Sequence, residues 1–200
     1  MDATAWNERY REKDFVWSPE PNVFFAEAVA GLSPGRALDL AAGEGRNSIW
    51  LAGNGWSVTA VDWSDVAISK GRDLATHHGV EIDWMVADLS EWVPPAAAFD
   101  LVAMIYLQVP SPEREMFWRN AAAAVAPGGR LVVVGHDLAN LAGGYGGPQS
   151  PQVLYTAADV AAAVGHDLAV VQAETVLRPV ETPDGVETAI DNRVVALRDS

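Results

Sequence analysis

Two hundred residues, half of them hydrophobic and a fifth charged, are enough for one globular domain with a sizeable core. Thirteen Lys and Arg stand against 27 Asp and Glu, so the net charge of −14 repels nucleic acid and anionic membranes and leaves a small molecule as the expected partner. The absence of cysteine excludes disulfides, thiolate zinc sites and thiol nucleophiles.

The chain starts without a basic-then-apolar pattern, and no stretch approaches the roughly 20 apolar residues of a membrane span, so a cytoplasmic protein is expected. Trp6 to Glu20 is polar and aromatic without a clear period. It reads as a lid across the strand ends or as an aromatic staple on the core, with Tyr10, Phe15 and Trp17 as its apolar members and Trp17 assigned to the substrate side. Asn22 then opens a short helix whose Phe24/Ala28 and Phe25/Val29 pairs lie four apart, and Gly31 ends it.

From Arg36 onward, short apolar runs alternate with helical patterns. The runs are Arg36–Leu40, Ser57–Val61, Ile82–Val86, Phe99–Ile105 and Leu131–Val134, and they read as strands buried on both faces. Ser64 caps a helix from Asp65 to His78 that Gly79 stops in the left-handed conformation. Ser111-Pro112 is a cap followed by proline at the first helical position, and Pro127-Gly128-Gly129 closes that helix before the next strand. Thr156 caps a last helix closed by Gly165. Leu168–Val176 and Val186–Leu197 then form a hairpin around Pro183-Asp184-Gly185.

This alternation predicts an α/β fold: a doubly wound, Rossmann-like seven-stranded sheet, mostly parallel, with an antiparallel C-terminal strand from the final hairpin. One domain spans 1–200, with a lid or cap at 1–33, a ligand-binding core at 34–135 and a substrate-side loop, helix and hairpin at 136–200.

Ligands of such sheets bind outside the carboxyl ends of the strands. There the first strand runs into Asp39-Leu40-Ala41-Ala42-Gly43-Glu44-Gly45, where two glycines let a ligand approach main-chain atoms. Asp39, inside an apolar run, requires a donor, either a bound ammonium or neighbouring backbone amides. Asp62 follows the second strand, where a carboxylate accepts both hydroxyls of a ribose or serves the adjoining helix cap. Trp63 offers a flat wall for a purine or a core tryptophan, and Asp88 ends the third strand as an acceptor for an adenine amine or as a turn aspartate. A dinucleotide needs a third glycine and an acid-free first strand, whereas this chain has Ser48 and Asp39. The like charges favour an adenosyl ligand with an amino group and no phosphate, as in S-adenosylmethionine.

These residues resemble the class I S-adenosylmethionine-dependent methyltransferases over about Arg36 to Leu197. The run Gly43-Glu44-Gly45-Arg46-Asn47-Ser48, followed by Leu51-Ala52 and Gly55-Trp56, is similar to the tellurite-resistance and thiopurine methyltransferase-like branch. The family pattern, acid-x-Gly-x-Gly-x-Gly, has Ala41 in place of its first glycine. The resemblance implies that Asp39, Ala41, Gly43 and Gly45 hold the methionine portion and that Asp62 binds the ribose. Trp63 would flank the adenine, Asp88 and the Leu89 amide would read its edge, and Ile105 and Tyr106 would pack near the sulfonium.

On the acceptor side, Tyr106, Gln108, His136 and Asp137 stand at or beyond the ends of the fourth and fifth strands, with His136-Asp137 as the acid/base or anchoring pair or as strand-end hydrogen-bonding groups. Gly143–Gly147 is a closing loop or a plain connection, and Arg46 is positioned to meet an anion or to be paired with acids such as Glu44. His77, His78 and His166 read as structural beside helix-stopping glycines, and no ligand spacing calls for a metal. The expected function is methyl transfer to a small-molecule acceptor by in-line displacement. A nicotinamide-linked oxidoreductase and a non-catalytic adenosyl-ligand sensor are the alternatives, and the acceptor and oligomeric state stay open.

Overall fold

The computed structural model describes residues 3–12, 20–111 and 113–200. The chain runs α1 (Ala3–Arg11), α2 (Val23–Val29), β1 (Arg36–Leu40), α3 (Arg46–Gly53), β2 (Ser57–Asp62), α4 (Asp65–His78), β3 (Asp83–Val86) and β4 (Phe99–Ile105). It continues through α5 (Glu113–Ala124), β5 (Val125–His136), α6 (Asn140–Gly143), α7 (Ala157–Val164), β6 (Ala169–Thr182) and β7 (Gly185–Leu197). The seven strands form one sheet in the order β3-β2-β1-β4-β5-β7-β6. Strands β1 to β5 are parallel, and β7 runs antiparallel to both β5 and β6. Phe15, Trp17 and Pro112 lie outside the described residues. Among those described, no helix is long and apolar enough to cross a membrane.

Local chemistry explains most boundaries. Ser64 Oγ accepts from Ala67 N at the start of α4, and Gly79 at φ 67 ends it. Asn22 Oδ1 accepts from Phe25 N and caps α2, after which Gly31 at φ 78 turns the chain. Thr156 and Asp159 form a reciprocal capping box on α7. Gly165, by contrast, is right-handed at φ −66 and merely carries the last helical hydrogen bond to Ala161. At the start of α5, Ser111 Oγ donates to Glu115 Oε1 at 3.2 Å.

Side chains alternate across the sheet as the strand period requires. Leu101, Ala103 and Ile105 of β4 face a cluster with Phe25 of α2 and Leu51 of α3, whereas Val102 and Met104 join Trp118 of α5 and Val160 of α7. Strand β3 departs from the doubly buried expectation, because it borders the sheet and leaves Asp83 and Val86 exposed. Pro127-Gly128-Gly129 also lies within β5 and not before it. Val125 pairs with Phe99, the register shifts before Leu101 pairs with Arg130, and Gly128 takes φ 74.

The order reverses between β1 and β4, which opens a crevice at their carboxyl ends. The hairpin rises on the same side. β5 pairs with β7 only as far as His136 opposite Asp191, whereas β6 and β7 remain paired to Thr182 opposite Gly185. Helix α1 docks on α4, with Asn7 Nδ2 donating to Asp65 Oδ1 at 2.7 Å and Lys70 Nζ reaching the Tyr10 carbonyl.

Two substitutions test the β1–α3 turn. Ala41 sits at φ 58, which costs a residue with a Cβ roughly 1–2 kcal/mol. Ala41→Gly therefore raises stability in chemical denaturation by about 0.5–1 kcal/mol, after the greater entropy of glycine in the unfolded chain is counted. Gly45→Ala does the reverse and loses more than about 2 kcal/mol. Its backbone is at φ 79, and the new Cβ would meet Trp84 Cη2 at 2.2 Å.

Candidate functional site

The turn after β1 is folded onto β2 by its own amides. Ala42 N donates to the Val61 carbonyl at 3.0 Å and Gly43 N to Asp62 Oδ2 at 2.8 Å. Gly43 and Gly45 adopt φ 58 and 79, which keeps the backbone free of Cβ atoms at the mouth of the crevice. Asp62 is buried, and its other oxygen, Oδ1, accepts from Ser64 N at 2.9 Å. The carboxylate thus joins the loop to the α4 cap and retains lone pairs for a further donor. Burial pushes its pKa up, against the opposing pull of the Ser64 and Gly43 amides.

Asp39 is 1% exposed, and the donor that accompanies it is Ser48 Oγ at 2.6 Å from Oδ2. Burial pushes its pKa up to about 6, with the Asp62 charge acting in the same direction and the Ser48 bond and Arg46 opposing it. Glu44, also buried, faces Lys70 Nζ at 3.3 Å. The turn is therefore lined by acids whose charged forms a cation would stabilise and a pyrophosphate would not. Trp63 is half-buried beside Asp62. Asp88 is exposed, and its Oδ1 accepts from Ser90 N at 2.8 Å in a local turn, while the half-buried Leu89 packs against the core.

A second group of polar side chains gathers at the ends of β4 and β5. Ile105, nearly buried, closes β4, and Tyr106 follows at φ 61. The Tyr106 hydroxyl donates to Asp191 Oδ2 at 2.6 Å and accepts from Arg178 Nε at 3.0 Å and Asn22 Nδ2 at 3.2 Å. Burial and the neighbouring Asp191 hold its proton on well above the usual phenol range. Its ring lies 4.7 Å from that of His136, at 33°. The carboxylate facing His136 is Asp191, with Oδ1 2.9 Å from Nδ1.

Asp137, the expected partner, is turned elsewhere. Its Oδ1 accepts from Ala139 N at 2.9 Å, and its Oδ2 accepts from Thr175 Oγ1 at 3.4 Å. The reason is strand alternation: consecutive residues at a strand end project to different sides. Gln108 holds the backbone, with Nε2 donating to the Val153 carbonyl at 2.9 Å and Oε1 accepting from His136 N at 3.1 Å. Gly147, at φ 72, presses against the imidazole, because a Cβ there would lie 3.1 Å from three of its atoms. Asn140 Nδ2 pins this loop at the Gly146 carbonyl.

The structure thus brings together Asp39, Ala41, Gly43, Gly45 and Asp62 on one side of the crevice, and Tyr106 and His136 on the other. Asp191, Arg178 and Asn22 are additions that the motif reading did not reach. One signal for Asp191 was present: an acid and an amide, Asp191-Asn192, stand between the apolar Ala189-Ile190 and Val194–Leu197 of β7, and both are fully buried.

The fold is the Rossmann-like α/β methyltransferase fold. Residues 37–129 match the family profile described as "Methyltransferase domain". The ubiquinone biosynthesis O-methyltransferase of Coxiella burnetii is 29% identical over 128 residues, covering 63% of this chain. The chain spans about half the length of the curated relatives it matches, 54% for this one. Among solved structures, the N-methyltransferase NodS from Bradyrhizobium japonicum WM9, in complex with S-adenosyl-l-homocysteine, superimposes with a TM-score of 0.76 at 17% identity, covering 100% of both chains. TehB from Haemophilus influenzae gives 0.71 at 15% identity, covering 90% of this chain and 63% of that one.

The raised pKa of Asp39 has a defined consequence for stability. Its contribution is favourable below the unfolded value of 3.8 and is lost as pH rises through about 6. In Asp39→Asn this dependence disappears, so the stability of the variant relative to the parent increases by about 2–3 kcal/mol between pH 4 and pH 8 in urea denaturation.

Proposed function

We propose that this chain is an S-adenosylmethionine-dependent methyltransferase acting on a small-molecule acceptor. The observation that carries the reading is the acid-lined glycine turn, with Asp39 and Asp62 buried on either side of Gly43. A ligand bearing an ammonium and a sulfonium relieves the mutual repulsion of these carboxylates, and a diphosphate would intensify it. The methyltransferase match over residues 37–129 supports the same reading.

In this reading, Asp39 with the backbone at Ala41, Gly43 and Gly45 receives the methionine portion, and Asp62 receives the ribose hydroxyls on its remaining lone pairs. Trp63, Asp88 and Leu89 surround the adenine, and Ile105 lies towards the sulfonium. Trp17, Tyr106, Gln108 and Asp137 belong to the acceptor side, Gln108 and Asp137 by fixing the strand ends, and His136 is the candidate base. When bound, the donor supplies an electrophilic methyl carbon, and the protein aligns the acceptor with it and excludes water. The finer placement in the tellurite-resistance and thiopurine-like branch rests on the Gly43–Ser48 run. The acidic chain suits a small acceptor over nucleic acid, and a cytoplasmic site of action fits its composition.

Calorimetric titration tests the assignment. S-adenosylmethionine and S-adenosylhomocysteine are expected to bind with micromolar affinity, and NADH is not. Asp62→Ala weakens the adenosyl ligand about tenfold or more, as loss of a charged hydrogen-bond acceptor predicts. Binding of NADH in place of the other two would return the oxidoreductase reading. Tight donor binding with no methyl transfer across a broad acceptor screen would favour a sensor.

A further inference from the structure

The polar network at the ends of β4 and β5 describes the acceptor, given the methyltransferase reading on which this inference rests. Asp191 is fully buried in β7, and its two oxygens are committed to different partners. Oδ1 meets His136 Nδ1 at 2.9 Å, and Oδ2 receives Arg178 Nε at 2.7 Å and the Tyr106 hydroxyl at 2.6 Å. Burial alone would raise its pKa, but hydrogen bonds from His136, Arg178 and Tyr106 outweigh burial and hold it below the usual carboxylate range. An ionised carboxylate only accepts, so Nδ1 of His136 carries a proton, and in the neutral imidazole the lone pair then belongs to Nε2. Among the described residues, no hydrogen bond is made to Nε2, and the side chain is 14% exposed.

Arg178 is held in the same way. Its Nε serves Asp191 and Tyr106, while Nη1 and Nη2 make no hydrogen bond among the described residues, and the side chain is 27% exposed. A guanidinium fixed at one end presents its terminal nitrogens as a fork for a second anion. Arg46 lies close enough for the two cations to repel each other, and burial pushes its pKa down.

We propose that the acceptor is a small hydroxylated carboxylate or similar organic anion, its charge received by Arg178 Nη1 and Nη2 and its hydroxyl facing His136 Nε2, with Asp191 as the positioning residue for both. In the transfer, the hydroxyl proton passes to His136 Nε2 as the oxygen bonds to the methyl carbon. The carbon–sulfur bond breaks with its electron pair remaining on sulfur, and the imidazolium then releases its proton to solvent. A thiolate or metalloid oxyanion needs no base and would leave the His136–Asp191 pair without a task.

The test uses 3,4-dihydroxybenzoate and its neutral amide as probes, titrated into the whole protein with and without saturating S-adenosylhomocysteine. The acid is expected to bind roughly tenfold tighter than the amide, and Arg178→Gln to abolish that preference while S-adenosylhomocysteine affinity is unchanged. Arg178→Lys, which keeps the charge, retains part of the preference. Equal binding of acid and amide, no binding of the acid at millimolar concentration, or loss of S-adenosylhomocysteine affinity in Arg178→Gln would overturn the assignment. Nitrogen-15 spectra of the unmodified protein read the tautomer directly. A protonated Nδ1 and a bare Nε2 are expected, and the reverse excludes His136 as the base. Failure of S-adenosylhomocysteine to bind the parent protein would strike the methyl-transfer reading instead, while the acid–amide comparison on the free protein would still judge the part played by Arg178.

Discussion

A carboxyl group sealed inside β1 sets the terms for the rest of the crevice. Asp39 has Ser48 Oγ as its hydrogen-bond partner and a second buried acid, Asp62, near enough to raise its pKa further. Burying a charge is costly unless it is paired, and a single hydroxyl compensates only in part. The fold supports this arrangement because β1 is central, paired along its length with β2 and β4, and the turn that follows is tied down by Gly43 and Ala42. What remains uncompensated is a demand for positive charge at the place where an open α/β sheet binds its ligand.

The opposite wall is organised by another buried acid with the reverse character. Asp191 collects three side-chain donors and is thereby stabilised in its charged form, while burial pushes the Asp39 pKa up to about 6. The contrast follows from the partners: the hydroxyl and backbone amide of Ser48 for Asp39, against an imidazole, a guanidinium and a phenol for Asp191. Two carboxylates of one chain thus acquire different tasks through their surroundings, one open to a cationic ligand and one committed to orienting its neighbours. Asn22 connects the front of the chain to this wall, because it caps α2, donates from its side chain to Tyr106 and donates its backbone N–H to Asn47 Oδ1.

Much of the Asp39–Asp62 side of the crevice was legible in the sequence, because it depends on local signals. An acid in an apolar strand, two glycines one residue apart and a second acid at the next strand end are all read within one βαβ unit. The bounds of α4 were equally legible, since Ser64 and Gly79 act on the backbone within a few residues. The Tyr106–His136 side was not, because its contacts are made across strand pairings that no local pattern reports. His136 meets Asp191 only because β7 inserts antiparallel beside β5 in the register that sets the two residues opposite one another. Adjacent numbering suggested Asp137, and strand alternation sends that side chain away. Arg178 was hidden for a related reason: it lies on a largely exposed border strand, where an arginine carries no distinguishing pattern.

The hairpin that overshoots β5 has a consequence for how such a protein diversifies. Asp191 and Arg178 ride on one continuous ribbon, which meets the remaining strands only through β5, whereas the methyltransferase profile ends at residue 129, before that ribbon begins. The two halves of the crevice therefore lie on separate stretches of the chain. Substitutions on the ribbon can exchange guanidinium and carboxylate together with their mutual spacing without disturbing the acids at the ends of β1 and β2.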